Sequence, residues 1–124
     1  MNDQQIESEI QANGLTAPRV TPQDIEANIL SEFFFTAAQG ADGASGYSQD
    51  TVQGCIGYEC LRLLTFCVLV LRNGFTVTGE SACASLENFD AELGRKIARQ
   101  NAINKIWPLM GYALKQRLHE ASEG

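Results

Sequence analysis

The sequence predicts an α+β domain in which N-terminal helices and a long C-terminal helix pack on a small antiparallel β-hairpin sheet. Within residues 63–83, two apolar and β-prone runs flank Asn73-Gly74, a pair typical of tight hairpin turns. Over residues 87–118 the apolar positions instead recur at steps of three or four, which indicates an amphipathic helix. The 124 residues, 44% of them hydrophobic, suffice for one modest core, so residues 1–124 are predicted to form a single domain.

The N-terminal part, residues 1–39, is predicted to be helical. A short first helix over residues 3–13 presents two isoleucines four positions apart on one face. A second helix begins at Thr21-Pro22, because threonine is a favoured N-cap and proline a favoured first helical residue. The apolar stripe of this second helix recurs every four residues and consists of Ile25, Ile29 and Phe33.

Residues 40–54 are predicted to form a flexible loop that is either mobile or a functional lid. This segment is rich in glycine, serine and aspartate and has no apolar periodicity. It contains no lysine and no glycine-rich phosphate-binding motif. The next segment, residues 55–62, fits two structures: alternation of Ile56, Tyr58 and Cys60 suits a strand, but the residues from 58 onward also suit a helical turn.

Residues 55–124 are predicted to form the core, as a β-hairpin followed by the long helix. A type I′ turn at Asn73-Gly74 would place both residues at positive φ. The alternative is a helix over residues 63–71 that Gly74 ends as a left-handed cap. Two strands alone are marginally stable, so the hairpin requires a third strand, a covering helix or a second protomer, and dimerisation through a strand edge follows as one outcome.

The final helix is predicted to start at an Asn88 cap. Pro108 lies inside its apolar pattern, where it lacks a backbone N–H and its ring clashes with the preceding turn. We therefore expect a kink or a break after Trp107. The tail over residues 119–124 is expected to be frayed.

The charge distribution argues against several classes of partner. The chain has a net charge of −6, with −8 in residues 1–59 and +2 in residues 60–124. General nucleic-acid binding is not expected, because it depends on neutralising phosphates with basic side chains. The N-terminus lacks the basic start and apolar run of a signal peptide, and no apolar run is long enough to span a bilayer, so we expect a cytoplasmic protein without membrane contact. The uneven charge also permits attraction between protomers.

No catalytic or metal-binding pattern stands out. The four cysteines contain no C-x-x-C pair, and their gaps match no common zinc framework. The segment from Gly79 to Cys83 suggests a nucleophile, but it lacks the final glycine of G-x-S-x-G, and the simpler interpretation is that Gly79 permits a bend after the strand. The only histidine, His119, lies in the predicted frayed tail. We therefore expect no enzyme activity, no catalytic residues, no metal and no cofactor.

One basic cluster is a candidate ligand site. Arg95, Lys96 and Arg99 lie early in the final helix, and the two arginines share a face because they are four positions apart. A guanidinium can hold a phosphate through two parallel hydrogen bonds. The alternative is that the cluster pairs with Glu92 or with the acidic first half of the chain.

Two runs carry a resemblance to a known family: TFCVLVLRNGFTVTGESACAS and NFDAELGRKIARQNAINKIWPLMGYAL. The chain resembles a family of small tailed-phage and prophage proteins, the gene forty-nine/gene sixty-six product family, over residues 63–118 and more loosely over TPQDIEANI. The segment over residues 47–60 departs from the shorter linker expected there. The resemblance implies an origin in a phage or prophage genome and supplies no catalytic or ligand residues.

Together these observations predict a non-enzymatic phage or prophage accessory protein in the cytoplasm of its bacterial host. It is expected to act by binding a host protein or by self-assembly as a homo-oligomer. The alternative is a small-ligand binder that takes up a nucleotide-like signal through Arg95, Lys96 and Arg99, together with the 40–54 loop, and thereby antagonises host defence.

Overall fold

The computed structural model describes residues 2–15, 17–45 and 58–123. The helices and strands follow in this order: α1 (Asp3–Ala12), α2 (Pro22–Ala27), β1 (Ile29–Thr36), α3 (Ala37–Ser45), α4 (Tyr58–Leu61), β2 (Leu64–Leu71), β3 (Thr76–Ala82), a 3₁₀ turn (Leu86–Asn88) and α5 (Ala91–Glu123). The predicted α+β class is confirmed.

The three strands form one antiparallel sheet in the order β1-β2-β3. Phe33 of β1 and Thr78 of β3 both lie opposite Val68 of the central strand. A two-stranded hairpin needs further contacts to be stable. Here β1 adds a third strand to the sheet, and α5 packs on β2 and β3.

The first strand is a correction to the predicted second helix. That helix ends at Ala27, and residues 29–36 are extended. Spacing of four between Ile25 and Ile29 fits a helix, but the segment ILSEFFFT is rich in side chains that suit a pleated surface. Pairing with β2 supplies the backbone partners, so tertiary contact overrides the helical pattern. The residues 1–39 are thus only partly helical.

The predicted 40–54 loop is wrong over residues 40–45, which belong to α3. Thr36 and Gln39 form a reciprocal cap: the Gln39 N–H donates to Thr36 Oγ1 at 3.2 Å, and the Thr36 N–H donates to Gln39 Oε1 at 2.9 Å. Four alanines in the segment favour the helix despite its glycines. The rest of the predicted loop lies outside the described residues, as do residues 55–57, whereas residues 58–61 are helical.

The hairpin turn differs from the predicted type I′. Gly74 has φ +90°, whereas Asn73 does not adopt a positive φ. The Gly74 N–H donates to the Leu71 carbonyl at 2.9 Å, and the Leu71 N–H donates to the Phe75 carbonyl at 2.8 Å. This is a three-residue loop, a type I turn followed by a left-handed glycine. The alternative of a helix over residues 63–71 is excluded, because β2 occupies residues 64–71.

We expect Gly74→Ala to destabilise the protein by about 1 kcal/mol, because a Cβ at positive φ strains the backbone. Thermal unfolding of the variant and of Gly43→Ala measures this effect. Gly43 lies in α3, and a Cβ added there would meet open space, so its replacement should leave the melting temperature equal or higher. Equal melting temperatures for the two variants would contradict the left-handed assignment.

The final helix is longer than predicted. Asp90, not Asn88, caps it, since the Leu93 N–H donates to Asp90 Oδ1 at 3.1 Å. The helix continues through Pro108 to Glu123, so neither the break nor the frayed tail is present among the described residues. Its 33 residues extend about 50 Å. Burial of Ile106 near the proline provides tertiary packing that offsets the lost backbone bond.

The core lies between the sheet and α5. Its buried members are Ile25, Cys67, Leu69, Leu71, Val77, Ala98, Ala102, Ile103 and Ile106. Gly79 permits the close approach of the helix, because a Cβ on Gly79 would lie 2.2 Å from the Ala98 carbonyl oxygen and 2.3 Å from the Ala102 nitrogen. This role replaces the predicted bend after the strand, since Gly79 lies inside β3.

Candidate functional site

The two faces of the sheet are buried to different extents. Along β2, alternate side chains from Thr65 to Leu71 are buried beneath α5, and the intervening ones are half-buried on the opposite side. We call this opposite side the open face. By strand register it consists of Ser31, Phe33, Phe35, Leu64, Phe66, Val68, Val70, Thr76, Thr78, Glu80 and Ala82.

The open face is apolar on β1 and β2 and more polar on β3. Phe33 is 56% exposed and Phe35 is 37% exposed. The rings of Phe35 and Phe66 lie 5.7 Å apart between centroids. Exposed phenylalanines that adjoin half-buried valines form a contiguous apolar patch, which in soluble proteins marks an interaction surface more often than single exposed residues do.

One end of the open face is covered by short helices. A Cβ on Gly40 of α3 would lie 3.7 Å from the Phe35 ring, and Ala38 is buried with Ala41 and Leu61. These contacts hold α3 and α4 near the end of β1 that carries Phe35. Phe33, in the middle of β1, remains exposed to solvent.

The outer edge of β1 has no partner strand among the described residues. The Thr36 N–H donates to the Gln39 side chain and not to β2. In an antiparallel ladder, alternate residues bond to the neighbouring strand, so the backbone groups of Phe34 and Glu32 also point outward. Leu30, at the irregular start of this strand, is 57% exposed.

The predicted basic cluster is divided among three environments. Arg99 binds Glu26 through two hydrogen bonds of 3.0 and 2.8 Å and Glu32 through one of 2.7 Å. This contact with Arg99 lowers the pKa of Glu26, and the contacts with the two carboxylates raise the pKa of Arg99. Lys96 lies 3.6 Å from Glu92. Lys96 and Arg99 thus pair with the carboxylates that the alternative interpretation named, those of Glu92 and of the acidic first half of the same chain.

Arg95 has no ion-pair partner within the described parts of the chain. It lines a cavity of about 260 Å³ between the start of α5 and the Thr36 end of β1. Phe34, Phe35 and Phe89 also line it, and the ring of Phe35 lies against Phe66 on the open face. Arg95 and Arg99 therefore lie in different surroundings, although their helical spacing suggested a joint phosphate site.

Sequence reasoning misses the open face, because it assigns β1 to a helix. The available signal is the run of three phenylalanines ending in threonine, residues 33–36, which is atypical of an exposed helix end. The predicted hairpin is present, and with it the apolar residues on both faces of β2.

The structure separates the groups considered for nucleophilic chemistry. Burial raises the pKa of the Cys67 thiol to about 11, so that thiol stays protonated near neutral pH. Cys83 donates to the Ser85 carbonyl, and His119 contacts Glu123. β3 packs near Ala102 of α5. His119 lies further along the same helix, about 25 Å from Ala102 by the helical rise, and is therefore far from β3. Within the described residues, no cluster of histidine, cysteine and carboxylate side chains could hold a metal ion.

An ion pair fastens α1 to the body of the domain. The Glu7 carboxylate is 3% exposed and accepts two hydrogen bonds from Arg19, the longer of 2.8 Å. Arg19 and Gln11 lower the pKa of Glu7. At the start of α1, Asp3 accepts a hydrogen bond from Trp107 Nε1 at 3.2 Å. The single tryptophan of the chain therefore reports on whether α1 is docked.

We expect α1 to undock in acid. A carboxyl group whose pKa is lowered in the folded state stabilises that state above its ordinary pKa, here 4.5, and the contribution is lost as pH falls through the lower folded value. Fluorescence of Trp107, followed from pH 7 to pH 3, should change below about pH 4.5, before global unfolding. In Glu7→Gln this early phase should be absent. An early phase of equal size in both proteins would contradict the assignment to Glu7.

The described helices contain no segment both long and apolar enough to cross a membrane. Comparison with curated proteins and with solved structures gave no match. Comparison with protein families gave a match over residues 20–118, which includes β1, the hairpin and most of α5. On that match, the chain belongs to the phage protein family described as the N4 Gp49/phage Sf6 gene 66 family.

Proposed function

We propose that this phage protein is a non-enzymatic accessory protein that acts by binding another protein through the open face of its sheet. The observation that carries the proposal is the exposed apolar surface around Phe33 and Val68 on a strand ladder whose other side is packed beneath α5. The partner is a host protein or a second copy of the chain, and the site of action is the cytoplasm of the infected or lysogenic cell.

The composition and rigidity of this surface suit protein binding. Interface centres are enriched in aromatic residues and depleted in charged ones. Anchoring side chains also bind more tightly when their scaffold is rigid, because little conformational entropy is then lost. Among the residues that make up the open face, Glu80 of the polar strand β3 is the one charged side chain, and it lies at the margin.

The test compares two charged variants as baits in a lysate of infected host cells. Val68→Lys places a charge at the centre of the open face, whereas Tyr112→Lys places one on α5 at a position that is 74% exposed. Proteins that bind the wild type should be lost from Val68→Lys and kept by Tyr112→Lys. Retention of the same proteins by a folded Val68→Lys variant would overturn the assignment of the open face.

A second candidate function is favoured by the cavity beside Arg95. Phe34 and Phe89 offer surfaces on which a base can stack, and the guanidinium offers a bidentate contact to a phosphate. A nucleotide-like signal in phage–host conflict fits this chemistry. Arg99 would contribute only after release from Glu26 and Glu32, so Arg95 carries this alternative.

Calorimetric titration with a panel of cyclic and linear nucleotides tests the alternative. Heat of binding to the wild type that disappears in Arg95→Ala would support it. Absence of both heat and thermal stabilisation across the panel would contradict it. Lys96→Ala is the matched control, since Lys96 is exposed and contacts only Glu92 among the described residues.

A further inference from the structure

We propose that β1 pairs antiparallel with β1 of a second copy, around a two-fold axis at Phe33, so that two sheets join into one sheet of six strands. The inference goes beyond the proposed function, because it concerns the outer edge of β1 and not the open face. It specifies the edge, the direction and the register of the contact.

The backbone of β1 provides the first argument. The outward-pointing N–H and C=O groups of Glu32 and Phe34 lack a partner strand within the described residues. An axis at Phe33 places Glu32 opposite Phe34 of the partner subunit and, by symmetry, Phe34 opposite Glu32 of the partner subunit. Each of these pairs exchanges both of its backbone hydrogen bonds.

The two ends of the strand provide the second argument, which favours a second copy over an unrelated extended peptide. Leu30 and Thr36 each lie three residues from Phe33, so the axis brings Leu30 of the partner subunit opposite Thr36. Thr36 lines the cavity that Phe34, Phe89 and Arg95 also line. Leu30 is 57% exposed and has an apolar side chain suited to that cavity. The edge thus carries an apolar projection, Leu30, and a cavity lined in part by phenylalanines at symmetric positions.

The charge on this edge provides the third argument. Proteins commonly protect exposed edges with lysine, proline or inward-pointing charges, and β1 contains neither lysine nor proline. Its one charged residue, Glu32, lies on the helix side and is bound by Arg99 at 2.7 Å. Arg99 thus partly offsets the charge that each Glu32 brings to the contact. Because Arg99 also binds Glu26, one negative charge per copy remains in this cluster and opposes the contact.

The ion pairs of Arg99 also change the effect that salt is expected to have on dimerisation. Attraction between an acidic half and a basic half of two protomers would weaken as salt rises. Arg99 already binds acidic residues of its own chain, so strand pairing is expected to be insensitive to salt or to strengthen as the net charge of −6 on each copy is screened. An edge contact is small beside the roughly 800 Å² per partner of a standard interface, so we expect micromolar affinity.

Light scattering over a concentration series tests whether the edge forms dimers. The wild type should change from 13.5 kDa to twice that mass over the micromolar range. Leu30→Lys should remain monomeric, because it places an ammonium group against the cavity that Arg95 of the partner subunit lines. Val68→Lys should dimerise as the wild type does, since Val68 lies in the central strand on the open face. A wild-type monomer at all concentrations, or a dimer that Val68→Lys abolishes and Leu30→Lys preserves, would overturn the edge assignment.

Disulfide trapping tests the register. Residues 33 of the two copies form a non-hydrogen-bonded antiparallel pair with Cα atoms about 4.5 Å apart, within disulfide range. Residues 31 of the two copies would lie about 14 Å apart, out of range. In a background with Cys55, Cys60 and Cys83 replaced by serine, mild oxidation should therefore trap Phe33→Cys and leave Ser31→Cys monomeric. Equal trapping of both variants, or trapping of Ser31→Cys alone, would overturn the register.

The two proposals fail separately. A chain that stays monomeric in scattering, but whose host partner is lost in Val68→Lys, retains the proposed function and loses the edge dimer. A trapped Phe33→Cys dimer whose lysate partners are unaffected by Val68→Lys retains the edge dimer and loses the host-binding role of the open face. Face-to-face packing of two sheets does not imitate the trapped dimer, because stacked sheets lie about 10 Å apart.

Discussion

Gly79→Ala is expected to destabilise the protein by about 3 kcal/mol, and by more if the helix cannot shift. A Cβ at this position would lie 2.2 Å from the Ala98 carbonyl oxygen and 2.3 Å from the Ala102 nitrogen. Both are backbone atoms of α5, so no side-chain rotation relieves the clash. Overpacking of a well-filled core costs roughly 1–3 kcal/mol where side chains can adjust, and a backbone clash belongs at the upper end. Denaturant unfolding measures the loss.

Gly111→Ala is the matched control for this substitution. Gly111 lies within α5, but a Cβ there meets nothing within 4 Å. Alanine has the higher helix propensity, by about 1 kcal/mol, so this variant should be as stable as the wild type or more stable. A Gly79→Ala protein as stable as Gly111→Ala would show that α5 does not cross β3 at this distance.

Leu69→Ala is expected to cost about 3 kcal/mol, because it removes a fully buried side chain from the centre of β2 and leaves a cavity beneath α5. The adjacent Val68→Ala should cost less than about 1 kcal/mol, since Val68 is half-buried on the open face. Chemical denaturation of both variants gives the comparison. Equal losses would mean that something covers the open face as closely as α5 covers the opposite side.

The sequence predicts those elements whose local pattern and tertiary environment agree. The hairpin is predictable because apolar β-prone runs flank a turn pair, and the final helix because its period persists over many turns. The first strand is not, because Ile25, Ile29 and Phe33 fit a helical spacing by coincidence. Its extended form depends on pairing with residues of β2 that lie 29 (65 − 36) to 42 (71 − 29) positions further along the chain. Such long-range pairing has no local signal.

The candidate site, too, is only partly predictable from the sequence. Arg95, Lys96 and Arg99 are visible as a cluster in the sequence, but sequence proximity does not indicate that Arg99 turns to Glu26 and Glu32. Likewise, the sequence marks Gly79 as a position that tolerates unusual backbone. Its actual requirement, the space between a strand and a helix, depends on how α5 crosses the sheet.

Site-specific photocrosslinking in infected cells tests most directly whether the open face binds protein. A benzophenone amino acid replaces Val68 on the open face in one strain and Tyr112 on α5 in another. Irradiation should give covalent adducts between the probe at residue 68 and a host protein or a second copy. The probe at residue 112 should give adducts at a much lower yield. Adducts from residue 112 with none from residue 68 would contradict the assignment of the open face as the protein-binding surface.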